Sequence, residues 1–146
     1  MRKIAMLVMV VMVLTGITIS AQASDWPVSD KESILIAKKL QAEPESLLGK
    51  RVKVQGLFWR LERIWLDYPG GFPSSQYSGF FAHVQTEAGL MGNTAILYLF
   101  IPKQKVSVLY NFSFHDKITV YGTVKWTSVT KNTAGIDVDD VKVGWQ

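Results

Sequence analysis

Leu48-Gly49-Lys50-Arg51-Val52-Lys53-Val54-Gln55-Gly56-Leu57-Phe58 reads as a turn that runs into a strand. Val52, Val54 and Phe58 share one parity, and Lys53, Gln55 and Leu57 share the other. That period of two is the mark of a half-buried strand. Gly56 interrupts it, as a glycine does at a bulge or at the sharp bend a small barrel needs. The arrangement returns as Asp116-Lys117-Ile118-Thr119-Val120-Tyr121-Gly122-Thr123-Val124. Two related strands, each bent at a glycine, therefore bracket a β-rich middle.

Working outward, the first strand starts at Arg51 and is expected to continue, bent, through Trp65. Residues 67–75, with Pro69, Gly70, Gly71 and Pro73, carry loop chemistry. A second strand follows, with Phe80, Ala82 and Val84 on one side and Phe81, His83 and Gln85 on the other. Residues 87–93, holding Gly89 and Gly92, turn the chain into a third strand over 94–101. There Ala95, Leu97, Leu99 and Ile101 point inward, and Ile96, Tyr98 and Phe100 point outward. Pro102 ends it. Residues 103–114 fit either a short helix or extended chain. The fourth strand spans 117–127 and the fifth 136–143, where valine parity switches and a bulge near Asp139-Asp140 reconciles it. Five strands, with a longer connection between the third and fourth, predict an all-β protein: a five-stranded Greek-key barrel of the OB type. A small open β-sandwich has the same strand count. In the barrel, Val52, Val54, Val84, Leu97, Leu99, Ile118, Val120 and Val124 should form the interior.

Upstream of the barrel, Asp30 is placed to cap a short N-terminal helix over 31–40, with Ser33 at the position a capping-box Glu would take. Ile34, Leu35, Ala37 and Leu40 are its expected apolar face, and Pro44 breaks it. A helix this short needs a partner surface, so it should pack on the β-domain.

Further upstream, Met1-Arg2-Lys3, the apolar run over 4–19 and Ala21-Gln22-Ala23 have the anatomy of a secretory signal peptide cleaved after Ala23. The run is shorter than the roughly 20 residues a spanning helix needs. The expected organisation is a signal peptide over 1–23, a lead-in and short helix over 24–48, and the barrel over 49–146. A periplasmic or secreted bacterial protein with no stable membrane anchor after cleavage follows. The whole chain carries 16 basic and 12 acidic residues, and losing Arg2 and Lys3 leaves 14 against 12, or +2. So small a charge lacks the field that draws polyanions, and nucleic-acid binding should be weak. The chain has no cysteine. That excludes disulfides, thiol catalysis and thiolate metal sites, and leaves stability to an ordinary apolar core.

The segments 49–56, 116–124 and 136–141 resemble those of exported bacterial OB-fold proteins, both the periplasmic BOF group and the tRNA-anticodon-domain-like OB modules. The resemblance covers roughly 47–145 and implies a five-stranded barrel that binds a ligand and catalyses nothing.

The outward parity supplies the candidate ligand-binding residues. Phe81 and His83 on the second strand and Tyr98 and Phe100 on the third, beside Ile96, would stand on the face that OB-folds commonly use. Tyr121 and Lys125 on the fourth strand, with Lys53 and Gln55 on the first, would border it. Aromatic rings beside basic groups suit stacking on bases or sugars. Equally, the N-terminal helix, a second copy or a partner chain could cover these rings, because exposed apolar patches mark interfaces. His83 and His115 are the two histidines, and neither has metal-ligand spacing to another donor. Asp137, Asp139 and Asp140 lack the glycine and closing Glu of a calcium loop and read as a solvated strand face. No phosphate-binding loop or nucleophile elbow is present, and nothing pairs Glu62, Asp67 or Glu87 as acid and base. The expected protein is a non-enzymatic binding module without cofactor or metal. Its partner would be a small ligand, an oligosaccharide, an oligonucleotide or an envelope protein. The alternative is an interaction protein whose aromatic face pairs with a partner chain or self-associates.

Overall fold

The computed structural model describes residues 27–62, 71–87, 93–127 and 131–146. The signal-peptide reading, the strand continuation to Trp65, parts of the loops over 67–75 and 87–93, and residues 128–130 between the fourth and fifth strands lie outside the described residues. Helix α1 (Lys31–Ala42) is followed by a 3-10 turn (Pro44–Leu47) and by strands β1 (Arg51–Leu61), β2 (Tyr77–Gln85) and β3 (Thr94–Pro102). A 3-10 helix (Lys103–Asn111) then leads into β4 (Lys117–Trp126) and β5 (Ala134–Val143). The ambiguous connection is thus helical, and Pro102 forms its N-terminal boundary.

The strands close into a barrel in the order β1-β2-β3-β5-β4. Closure excludes the open sandwich. Every pairing is antiparallel except β3 with β5, which are parallel and meet at Leu99 and Phe100. The two glycine-bent strands pair with each other, Val54 opposite Val120 and Gly56 opposite Ile118.

Alternation puts Val54, Phe58, Phe80, Ala82, Val84, Leu97, Leu99, Ile118, Val120 and Val124 in one buried cluster, and Val52 packs on its edge half-buried. Seven of the eight residues expected in the interior are therefore buried, and Val52 is the exception because it lies near the start of β1. The expected bulge is present in β5: Tyr121 faces Asp140 and Gly122 faces Val138, so Asp139 is the extra residue. The β1 irregularity falls between Phe58 and Arg60 rather than at Gly56.

Helix α1 adds Ile36 and Ala37 to the core. Asp30 caps it by accepting a 2.7 Å hydrogen bond from the Ser33 amide. The buried face is Ser33, Ile36 and Ala37, whereas Leu35 is exposed. The expected face is therefore rotated by about one position. Polar anchoring explains the rotation: Ser33 Oγ accepts from the Gln55 amide at 2.8 Å, and Ser29 exchanges two hydrogen bonds with the Gln85 backbone. These bonds fasten the helix and its lead-in to the first half of β1 and to the end of β2. At the other end of those strands, Leu109 of the 3-10 helix joins the core and Phe112 packs 5.6 Å from Phe58. Among the described residues no helix is long and apolar enough to cross a membrane.

Candidate ligand-binding face

Among the described residues, four buried apolar side chains lie outside the interior cluster: Leu57, Phe72, Phe81 and Phe100. They form an outer layer, and its open parts make up the candidate site. The bulge in β1 leaves Trp59 without a strand partner, because Phe58 pairs with Ala82 and Arg60 already with Phe81. The freed indole lies against its neighbours on β2, with its ring 4.6 Å from His83 and 5.8 Å from Phe81. Phe81 meets Tyr98 edge-on at 5.3 Å. The Arg60 guanidinium sits over both rings, 4.7 Å from Trp59 and 5.7 Å from Phe81. Such cation–π contact pre-orients the guanidinium and leaves its N–H edge available. On the far side of His83, His115 stands 6.3 Å away and stacks on Phe114 at 3.7 Å. A continuous band of rings therefore crosses the outer surface of β1, β2 and β3.

The expected site residues separate into three groups. Phe81, His83 and Tyr98 come together, joined by Trp59, which the sequence reading did not select although it continues the outward parity of Lys53, Gln55 and Leu57. Tyr98 is about half exposed, at 49 %, while Phe81 and His83 form the floor beneath Trp59 and Arg60. Phe100 points outward as expected but offers no surface. Phe72 stacks on it at 4.0 Å with the rings 14° apart, and a Cβ on Gly135 would approach it within 2.6 Å. The end of the β1–β2 connection is thus a lid on that side of the face, and Gly135 lets β5 pass beneath the ring. Lys125 flanks this lid but is committed to Asp137, which also accepts from Tyr77 Oη at 3.3 Å. The bond to Asp137 raises the Lys125 pKa against the effect of burial, and burial raises that of Tyr77. Lys53 and Tyr121 are cross-strand partners on β1 and β4, beyond the β1–β2 ladder that carries the rings. Lys142 lies over the Tyr121 ring at 5.8 Å. The ladder register removes Lys53 and Tyr121 from the site.

α1 does not cover the rings. Instead its C-terminal end, through Leu40 and Gln41, borders a groove of about 400 Å³ with Ile96 and Tyr98 on β3 and with Thr133 and Ala134 before and at the start of β5. A larger cavity, about 750 Å³, opens on the other side of Arg60, between the end of β1 and the 3-10 helix. Phe58, Leu109 and Phe112 make its floor, and Arg60, Glu62 and Tyr110 supply its polar atoms.

Electrostatically the face is close to neutral. Burial lowers the His83 pKa, with a smaller contribution from His115, and burial also lowers that of His115. Burial therefore favours the neutral form of both rings. Burial raises the Glu62 carboxyl, partly offset by Arg60. The strand aspartates are paired outward, Asp139 with Arg51 at 2.9 Å and Asp140 with Lys142 at 4.0 Å. Among the described residues, no group of three or more His, Asp or Glu side chains is placed to hold a metal ion.

Compared with protein-family models and with curated proteins, the sequence matches none. Solved structures do match the fold. An asparaginyl-tRNA synthetase from Pyrococcus horikoshii superposes with a TM-score of 0.50 at 16 % identity, covering 73 % of this chain and 21 % of the synthetase. The chain therefore spans about a fifth of that enzyme. An OBody, AM1L10, whose structure was solved bound to hen egg-white lysozyme, gives 0.51 at 14 % identity, covering 83 % of this chain and 96 % of the OBody. At such identities the likeness concerns architecture alone. With its closed five-stranded barrel and the short helix before the first strand, the chain has the OB-fold.

Proposed function

We propose that this protein is an exported, non-enzymatic binding module that takes a flexible chain of ring-bearing units, an oligosaccharide or a single-stranded oligonucleotide, on the outer face of β1, β2 and β3. The observation that carries this reading is the band of rings around Trp59, Phe81 and Tyr98 with Arg60 laid over it. Tyr98 offers one ring-sized platform, and the planar Arg60 guanidinium laid on Trp59 offers a second together with a cation and its hydrogen-bond donors. A stacked base contributes roughly 1–3 kcal/mol, so two platforms support weak to moderate affinity without a basic patch. Export is proposed on the anatomy of residues 1–23; intact-mass measurement of the periplasmic protein should then place the N-terminus at Ser24.

The test is a titration of isotope-labelled protein with an oligothymidylate and, separately, a chitin oligosaccharide, followed by amide shifts. Shifts confined to β1, β2 and β3 and reduced about tenfold in affinity by Trp59→Ala or Tyr98→Ala support the reading. Shifts elsewhere, or affinities untouched by both substitutions, refute it. A second reading, pairing with a partner chain, is favoured by the exposure of Ile96 and Tyr98 beside the α1 groove. It requires a dimer in sedimentation that Ile96→Asp dissociates.

A further inference from the structure

Arg60 has two sides. One lies on the Trp59 and Phe81 rings, and the other lines the 750 Å³ cavity between β1 and the 3-10 helix. We infer that this cavity is a second binding site, which takes one small amphipathic anion: an apolar body on Phe58, Leu109 and Phe112, and a carboxylate, sulfonate or phosphate on the Arg60 guanidinium.

Three features of the site lead to this ligand class. The volume lies within the roughly 300–1,000 Å³ of small-molecule pockets, which are mostly apolar with a few placed polar groups. Its floor is core material, since Phe58 and Leu109 are both buried yet line the cavity. Finally, Arg60, the one cation among its described lining residues, is held in place by two aromatic rings, and no described acidic side chain forms a salt bridge with it. A planar guanidinium fixed in this way at the edge of an apolar site suits a planar or tetrahedral anion.

Glu62 lines the same cavity and gives the proposal a second handle of opposite sign. Its carboxylate repels an incoming anion and competes for the field of Arg60. Removing its charge should therefore tighten binding while removing that of Arg60 weakens it. A purely structural role for either residue would not produce opposite effects.

The site lies beside the stacking face and shares Arg60 and Phe81 with it, whereas Tyr98 belongs to the stacking face and does not line the cavity. The test uses two naphthalene probes of nearly equal shape, the anion 1-anilinonaphthalene-8-sulfonate and neutral N-phenyl-1-naphthylamine, titrated by fluorescence into the whole protein. The expected result is a single saturable site with the sulfonate bound at least about tenfold more tightly, as a charge-assisted hydrogen bond implies. Arg60→Gln should abolish that preference, Glu62→Gln should strengthen it, and Tyr98→Ala should leave it unchanged. Equal affinities for the two probes in the wild type would overturn the proposal. So would a sulfonate affinity indifferent to Arg60→Gln, or one lost with Tyr98→Ala. Should Arg60→Gln not fold, the wild-type probe pair and the Glu62→Gln effect decide the outcome alone.

Discussion

Trp59 and Phe72 show how single residues turn a generic barrel surface into a particular one. Trp59 continues the outward parity of Lys53, Gln55 and Leu57, but its release from pairing comes from the bulge between Phe58 and Arg60, which a period-two reading does not show. Tyr98 and Ile96, which lie in an unbroken alternation, were legible as outward, and both are exposed. Phe100 was legible as outward but not as covered, because its cover comes from Phe72 in a loop that strand periodicity does not address. Phe72→Ala should cost about 3–5 kcal/mol, as other buried phenylalanine truncations do, and denaturant melts measure this directly. His83 leads to a pH prediction. Its folded pKa lies below 6.5, with burial as the main cause, so on acidification the unfolded chain takes up the proton first. Stability should be fully present above 6.5 and fall as the pH drops through 6.5 toward the folded value, with His115 acting in the same direction. Urea midpoints at about pH 5 and about pH 8 test this; His83→Gln should narrow the gap, and an unchanged gap would contradict the burial of that ring.

At the level of elements, the strands and the helix cap were readable because each has a local cause. Alternation set the strands, Asp30 set the start of α1, and Pro102 set the end of β3. The face of α1 was harder to read. Ile34, Leu35 and Ile36 are consecutive and apolar, so hydropathy alone does not choose among them. Ser33 decides, through its bond to the Gln55 amide across 22 residues of sequence. Ser33→Ala should leave that amide without its partner and cost about 1–3 kcal/mol, seen as faster hydrogen exchange at Gln55 and in the α1 amides. Gly122 has the least room for a side chain of the described glycines. A Cβ there would stand 2.3 Å from the Asp137 carbonyl oxygen and 2.6 Å from Ile136 Cγ2. Gly122→Ala should therefore destabilise by roughly 1–3 kcal/mol or more, because the obstacle includes backbone. A neutral outcome in thermal melts would mean that β4 and β5 separate more easily than their register implies.

Across the whole molecule, the order of segments was enough to point to the barrel, and closure of the sheet excludes the open sandwich. Site membership was only partly legible. Three of the seven expected residues gather on one face, while the ladder register carries Lys53 and Tyr121 away and pairing with Asp137 occupies Lys125. Which cations are committed is a property of the folded contacts, and composition reports only their sum. The same contacts leave Arg60 as the guanidinium lying on the ring band. The binding proposed there should therefore rest on stacking rather than on charge. The most direct test is a salt titration of single-stranded oligothymidylate binding by wild type, Trp59→Ala and Tyr98→Ala. With one or two phosphates neutralised, the slope of log K against log salt should be shallow, about −1, and both substitutions should weaken binding by about tenfold or more. A steep slope, with an affinity indifferent to both substitutions, would show that charge rather than the ring band holds the ligand, and would contradict the account.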